Sequence, residues 1–300
     1  MKRSKISEKW RGNNIYPNRY AVLYILPAVL FMICLCLFPV LVLIANSFTD
    51  LTMVGKEVHF VGLQNFKEIL SSQDFYRQFG LTLLYVAASV LAEMVLGFFL
   101  ALFFQVSVPF KRLARTLMIL PMVATPVAMC FLWSIMYNPK MGILNYLLSL
   151  FGIGPQPWVS SPATAIWSII LVDIWMNTPF VFLIFSSGMT ALPQDPFEAA
   201  IVDGAGFWTL IRSILLPTIK PVFTVVLMFR VIDAFKVFDL IYVLTGGGPG
   251  NATETVNIAV YFSAFRYYKM GHASAMALIM YIFVFLLSVA VVKKGKLSLA

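Results

Sequence analysis

The chain has 300 residues, 60% of them hydrophobic and only 12% charged, with a mean hydropathy of +0.87. A soluble domain carries about a quarter charged residues, so this composition excludes an ordinary water-soluble protein and requires a membrane one. The net charge of +9 is spread along the chain, which argues against nucleic acid, and Cys34, Cys36 and Cys130 lie in apolar runs without disulfide or metal-ligand spacing.

Residues 1–19 form a basic segment with Lys2, Arg3, Lys5, Lys9, Arg11 and Arg19 against one acid, Glu8. The apolar run that follows, 20–45, is too long for the h-region of a cleaved signal peptide. It is expected to be a retained spanning helix, with Pro27 and Pro39 as kinks or ends. Further apolar segments at 80–104, 117–137, 163–190, 222–244 and 273–292 each approach or exceed the ~20 residues that cross a bilayer. Backbone groups in lipid must be satisfied internally. The expected fold is therefore an all-α membrane protein with a six-helix domain over 20–292 and a tail over 293–300.

Lys and Arg counts set the orientation. Six precede the first helix, three lie in 105–116, two in 191–221 and three after 292. The opposite side holds three in 48–79, one in 138–162 and two in 245–272. Both termini and the 191–221 loop are thus expected in the cytoplasm. On the outer side, the pattern from Leu63 to Leu70 suits a short helix lying on the membrane surface. The proline-rich stretch 138–162 suits a compact loop. The triple glycine Gly246-Gly247-Gly248 is followed by Pro249 and lacks the Lys-Ser/Thr of a phosphate cradle.

Ionisable residues inside apolar helices are functional candidates by default. The fifth segment carries Arg230, Asp233, Lys236 and Asp239, alternating in sign at a spacing of three. They suit either a solute path or gate, with Phe229 and Phe235 stacking on a sugar face, or internal ion pairing between helices. Asp233 and Phe235 are the leading candidates for lining a path. In the fourth segment Asp173 and Asn177 share a helix face beside Trp175. They suit hydrogen bonding to sugar hydroxyls or bonding between helices around a Pro179 kink. Glu93 stands alone in the second segment, which suits a bond to another helix or a subunit contact.

The loop 191–221 is only half apolar. Asp195 suits a helix cap, Pro196 the first helical position, and Glu198 falls three residues after the cap. Gly204 and Gly206 allow the chain to turn into a second short helix, around 207–216, that runs into Pro217. The pattern is Glu198-Ala199-Ala200, then Gly204, then Ile214, Leu216 and Pro217.

That pattern resembles the signature loop of permease subunits in bacterial ATP-binding-cassette importers. Asp203-Gly204-Ala205 resembles the carbohydrate-uptake branch, the maltose- and glycerol-phosphate-type permeases. Phe60-Val61-Gly62-Leu63-Gln64-Asn65-Phe66 resembles a string common after the first helix in sugar permeases, and Thr245-Gly246-Gly247-Gly248-Pro249 is similar to a string of the first-permease type in that branch. The resemblance implies the type I importer architecture, with the 191–221 loop as a coupling helix. Glu198, Ala199, Ala200, Asp203, Gly204, Ala205, Gly206 and Pro217 would dock it in a cleft of an ATP-binding subunit. It implies a second, homologous permease in a heterodimer, two ATP-binding subunits and an extracytoplasmic solute-binding protein. It also implies a bacterial inner membrane and a sugar, polyol or oligosaccharide as solute. ATP and Mg²⁺ would sit on the partners, with no cofactor or metal on this chain.

The residues agree that the chain carries no motor, since no Gly-x-x-x-x-Gly-Lys-Ser/Thr occurs. An enzyme is not expected: there is no nucleophile elbow, and His59 and His272 are far apart. The alternative from a different class is an ion-coupled secondary transporter using Glu93, Asp173, Asp233 and Asp239. That class typically shows inverted repeats, which are not visible here. A scaffold without transport activity is a further reading.

Overall fold

A computed structural model describes residues 18–55, 57–105 and 110–294. The basic residues of 1–17 and most of the C-terminal tail lie outside the described residues. The described chain is helical: α1 (Asn18–Met32), α2 (Phe38–Ser47), α3 (Gln64–Ser71), α4 (Gln73–Phe103), α5 (Lys111–Val123), α6 (Pro126–Met136) and α7 (Ile143–Leu150) form its first half. The second half holds α8 (Ala165–Thr190), α9 (Asp195–Val202), α10 (Phe207–Thr209), α11 (Leu216–Phe235), α12 (Asp239–Thr245), α13 (Val256–Tyr261) and α14 (Met270–Lys294). Five helical stretches are long and apolar enough to cross a membrane, and α5 with α6 makes a sixth if that bent pair is one span.

Two spans differ from the sequence expectation. The third is not one straight helix: α5 and α6 meet at 99°. Pro126 opens α6, and Thr125 and Ala124 before it are extended. A residue preceding proline is pushed out of the α region, so the break follows from local sterics. The fifth span runs from Phe207 to Phe235, not over 222–244. It therefore absorbs the second helix of the 191–221 loop instead of stopping at Pro217. A π-helical stretch, Leu210–Leu215, precedes that proline. Its wider turn accommodates a residue with no amide to offer. Thr218 Oγ1 then donates to the Ile214 carbonyl at 2.6 Å. At the other end, Asn257 Nδ2 donates to the Phe235 and Val237 carbonyls at 2.7 and 3.1 Å. These bonds hold the break before α12, so Lys236 and Asp239 do not share a helix with Arg230 and Asp233.

The bundle is centred on α4 and α8, packed along most of their length. Gly97 permits the close approach: a Cβ there would lie 2.6 Å from Val181 Cγ1. Near that contact Phe98 meets Phe185 edge-on at 5.7 Å, and Phe104 meets Phe182 at 5.1 Å. Gly97→Leu should therefore cost about 1–3 kcal/mol by overpacking. A thermal unfolding series in detergent, with Gly97→Ala as the milder step, checks it; an unchanged midpoint for the Leu variant would refute the packing assignment.

The outer segments are tied by asparagines. Asn65 of α3 donates to the Ser47 and Thr49 carbonyls, docking α3 on the end of α2. Asn145 organises the 138–162 loop: it donates to the Pro139 and Gln156 carbonyls and accepts from the Gln156 amide and Trp158 Nε1. Thr253 Oγ1 donates to the Gly248 carbonyl and lies 2.7 Å from Thr245 Oγ1, which closes the glycine-rich loop on itself. His59 is no isolated surface group. Its amide donates to Asp50 at 2.6 Å, holding that carboxyl below its usual range.

Candidate functional site

Two features stand out, one inside the bundle and one outside it. Inside, Arg230 of α11 is 2% exposed. Its Nε and Nη2 donate to Glu93 Oε2 and Oε1 of α4 at 2.6 and 3.0 Å, a bidentate pair. Its Nη1 donates to Asp233 Oδ2 at 2.7 Å. Asp173 Oδ2 of α8 lies 3.5 Å from Nη2, and Asp173 Oδ1 accepts from Asn177 at 2.7 Å. One guanidinium thus joins three spanning helices. An unpaired charge in this setting would cost several kcal/mol, so the fork is as much a requirement of folding as a candidate site.

Beside the cluster is a cavity of about 300 Å³ lined by Asp173, Asn177, Asp233, Lys236 and Asp239, with apolar wall from Pro126, Met176 and Phe238 among others. The structure therefore brings together Asp173, Asn177, Arg230, Asp233 and Lys236 of the expected path. It does not bring in the two aromatics. Phe235 is buried in the core with its ring 5.6 Å from Phe283. Phe229 is exposed on the outside of the bundle and does not line the cavity. On a helix ending at Phe235, the faces holding Arg230 and Asp233 do not include these rings. Glu93, absent from the expected path, is the main partner of Arg230. Its one legible signal was that a lone acid in an apolar segment needs a cation elsewhere.

The second feature is the loop between α8 and α11. Helix α9 opens with Asp195 and Pro196, and Gln194 takes the cap position without a side-chain hydrogen bond. Asp195 is thus inside the first turn and does not cap it. Together with Glu198 it places negative charge at the helix N-terminus, which the backbone dipole favours. The end of α9 is a Schellman motif: the Ala205 amide donates to the Ala200 carbonyl at 2.9 Å and the Gly204 amide to the Ile201 carbonyl at 3.0 Å. Gly204 carries the required positive φ of 82°. Gly206 is extended and starts α10.

No residue of α9 is buried. Ile201, Val202, Phe207 and Trp208 are 59–87% exposed, outside α8 and adjoining the start of the fifth span. Helix α9 packs mainly on the π-helical stretch that leads into α11, with Phe197 half-buried against the core. This loop is an apolar, folded projection joined without a break to the helix that carries Arg230.

Comparison with known proteins places this geometry. Residues 93–293 match the family described as binding-protein-dependent transport system inner membrane component. The chain belongs to that family. The match takes in both the cluster and the α9–α11 loop. The permease is 36% identical over 250 residues to the trehalose/maltose transport system permease protein MalF of Thermococcus litoralis, covering 82% of this chain and 83% of the relative. It is 32% identical over 275 residues to the trehalose transport system permease protein SugA of Mycobacterium tuberculosis, covering 90% and 86%. Its fold is similar to a chain of a bacterial ABC transporter involved in import of the acidic polysaccharide alginate, with a TM-score of 0.82 at 21% identity over 94% of this chain and 98% of that one. The permease is a multi-pass membrane subunit of an ABC importer, a class of subunit that is not itself catalytic. The ion-coupled alternative gains no support: Glu93, Asp173 and Asp233 are engaged with Arg230.

Proposed function

We propose that this permease moves a sugar, polyol or oligosaccharide inward by alternating access, driven by ATP-binding subunits that dock on the α9–α10 loop. The observation that carries the reading is continuity. The exposed loop and the cavity are joined by one helical stretch, Phe207–Phe235, so displacement of the loop is transmitted to Arg230 and Asp233. Glu198 closes the first turn of α9, and Ala199 and Ala200 follow it, small where close approach is needed. Asp203, Gly204, Ala205 and Gly206 form the turn, and Pro217 follows the π-helical stretch.

In this reading both termini and the loop face the cytoplasm of a bacterium, as the Lys and Arg distribution suggests, and the membrane is the inner one. A homologous second permease completes the pathway, since six helices enclose a polar route poorly. Two ATPase subunits bind ATP and Mg²⁺, and a solute-binding protein delivers solute to the outer loops. The sugar class comes from the trehalose and maltose permeases among the relatives. Asp173, Asn177, Asp233 and Lys236 line the solute path in this reading, with Arg230 and Glu93 holding it in place.

Sugar-stimulated ATP hydrolysis tests it. The permease, co-purified with the subunits it assembles with, is reconstituted and screened with its binding protein. Stimulation by a sugar, reduced roughly tenfold or more by Glu198→Lys while the complex stays assembled, is the expected result. Uptake that follows a proton or sodium gradient, with no ATPase in the complex, would overturn it.

A further inference from the structure

We propose that the cavity accepts only uncharged polyhydroxylated solutes and rejects anionic ones such as uronates and sugar phosphates. The inference rests on the carbohydrate reading above and goes beyond it by assigning the charge of the solute to named carboxylates. Among the described residues, Asp173, Asp233 and Asp239 line the cavity against a single cation, Lys236. Arg230 adds no anion site. It is absent from the lining, and its Nε, Nη1 and Nη2 all donate to Glu93 or Asp233. Counted with its partners, the cluster still holds more acids than bases: Glu93, Asp173, Asp233 and Asp239 stand against Arg230 and Lys236, so the wall facing the solute keeps an acidic excess.

The hydrogen-bonding inventory points the same way. Asp233 has a side chain 65% exposed, and Asp239 is exposed as well. Both present acceptors only. A sugar hydroxyl donates to them, whereas an ionised carboxylate or phosphate offers no hydrogen. Two helices start at the cavity: α12 already carries Asp239 in its first turn, and α6 opens on Pro126, whose nitrogen has no hydrogen to offer an anion. Met176 and Phe238 supply the apolar surface for the C–H face of a sugar ring. Like charges at contact distance across a partly screened cavity disfavour binding by roughly tenfold or more.

The test uses the assembled complex without its binding protein, so that only the membrane site is read. Thermal stabilisation is titrated with maltose, trehalose and digalacturonate. Stabilisation by a neutral disaccharide at concentrations roughly tenfold or more below those needed for digalacturonate is expected. Asp233→Asn with Asp239→Asn should narrow that gap roughly tenfold. Asp239→Asn alone, at an exposed position on a separate helix, should narrow it in part and guards against misfolding of the double variant. Equal or better binding of the uronate, or a preference unmoved by either variant, would overturn the proposal. If no sugar binds the complex while sugar with binding protein still stimulates ATP hydrolysis, the cavity is not the solute site and this proposal fails alone. If no sugar stimulates hydrolysis, the carbohydrate reading fails with it.

Discussion

Arg230→Met is expected to destabilise the permease by about 3–5 kcal/mol, the typical cost of leaving a buried charge without its partner. Glu93 is 0% exposed, and the substitution strips both hydrogen bonds from its carboxylate. Arg230→Lys should recover little. An ammonium is a point donor and cannot form the fork to Glu93 while reaching Asp233. Glu93→Gln alone should cost less, because the guanidinium keeps Asp233 and Asp173 as counter-charges and the Gln carbonyl still accepts a hydrogen bond. The double variant Glu93→Gln with Arg230→Met should lose clearly less than the sum of the singles, since the Glu93 charge is removed together with the partner it needs. Thermal unfolding midpoints of the four variants in detergent check this. A loss below about 1 kcal/mol for Arg230→Met would show that the fork contributes little to folding.

Gly204→Val is expected to lower solute-stimulated ATP hydrolysis roughly tenfold or more while the transmembrane bundle stays folded. A β-branched residue in the left-handed region costs about 1–3 kcal/mol. Nothing lies within 4 Å of an added Cβ at this position, so the penalty is conformational and not a clash. Gly204→Asn, which tolerates that backbone region, should keep most of the activity. The pair of variants separates two explanations. If Val and Asn fail alike, bulk at a docked surface is the cause. If only Val fails, the Schellman turn and the angle between α9 and α11 are the cause. Unchanged coupling in the Val variant would remove the loop from the mechanism. An unchanged bundle is expected because α9 contributes no buried residue.

Hydropathy alone makes the spanning character of the chain legible, because the alternative to a helix in lipid is a row of unsatisfied backbone groups. The helix–glycine–helix form of the 191–221 loop is legible for a local reason: Gly204 is the residue type a Schellman end requires, and its hydrogen bonds run to residues within five positions. The motif on α9 reads without any tertiary information, since none of its residues is fully buried.

Other features depend on contacts distant in sequence. Val237 and Phe238 are apolar and continue the hydropathy of the fifth span. That span ends at Phe235 because Asn257, 20 residues beyond Val237, takes its last carbonyls. The pairing of Glu93 with Arg230 joins positions 137 apart. Each residue by itself announces only that a partner is needed, and packing of α4, α8 and α11 selects which. Phe235 illustrates the same dependence. Its aromatic ring suits a sugar site or a core equally, and the seat against Phe283 decides for the core. The sequence by itself therefore determined the solvent, the helical class and the helix–glycine–helix form of the 191–221 loop, each set by local composition or short-range hydrogen bonds. Only the tertiary structure decided which charges meet and which side chains line the cavity. Those outcomes depend on the relative height and rotation of helices, which long-range packing sets.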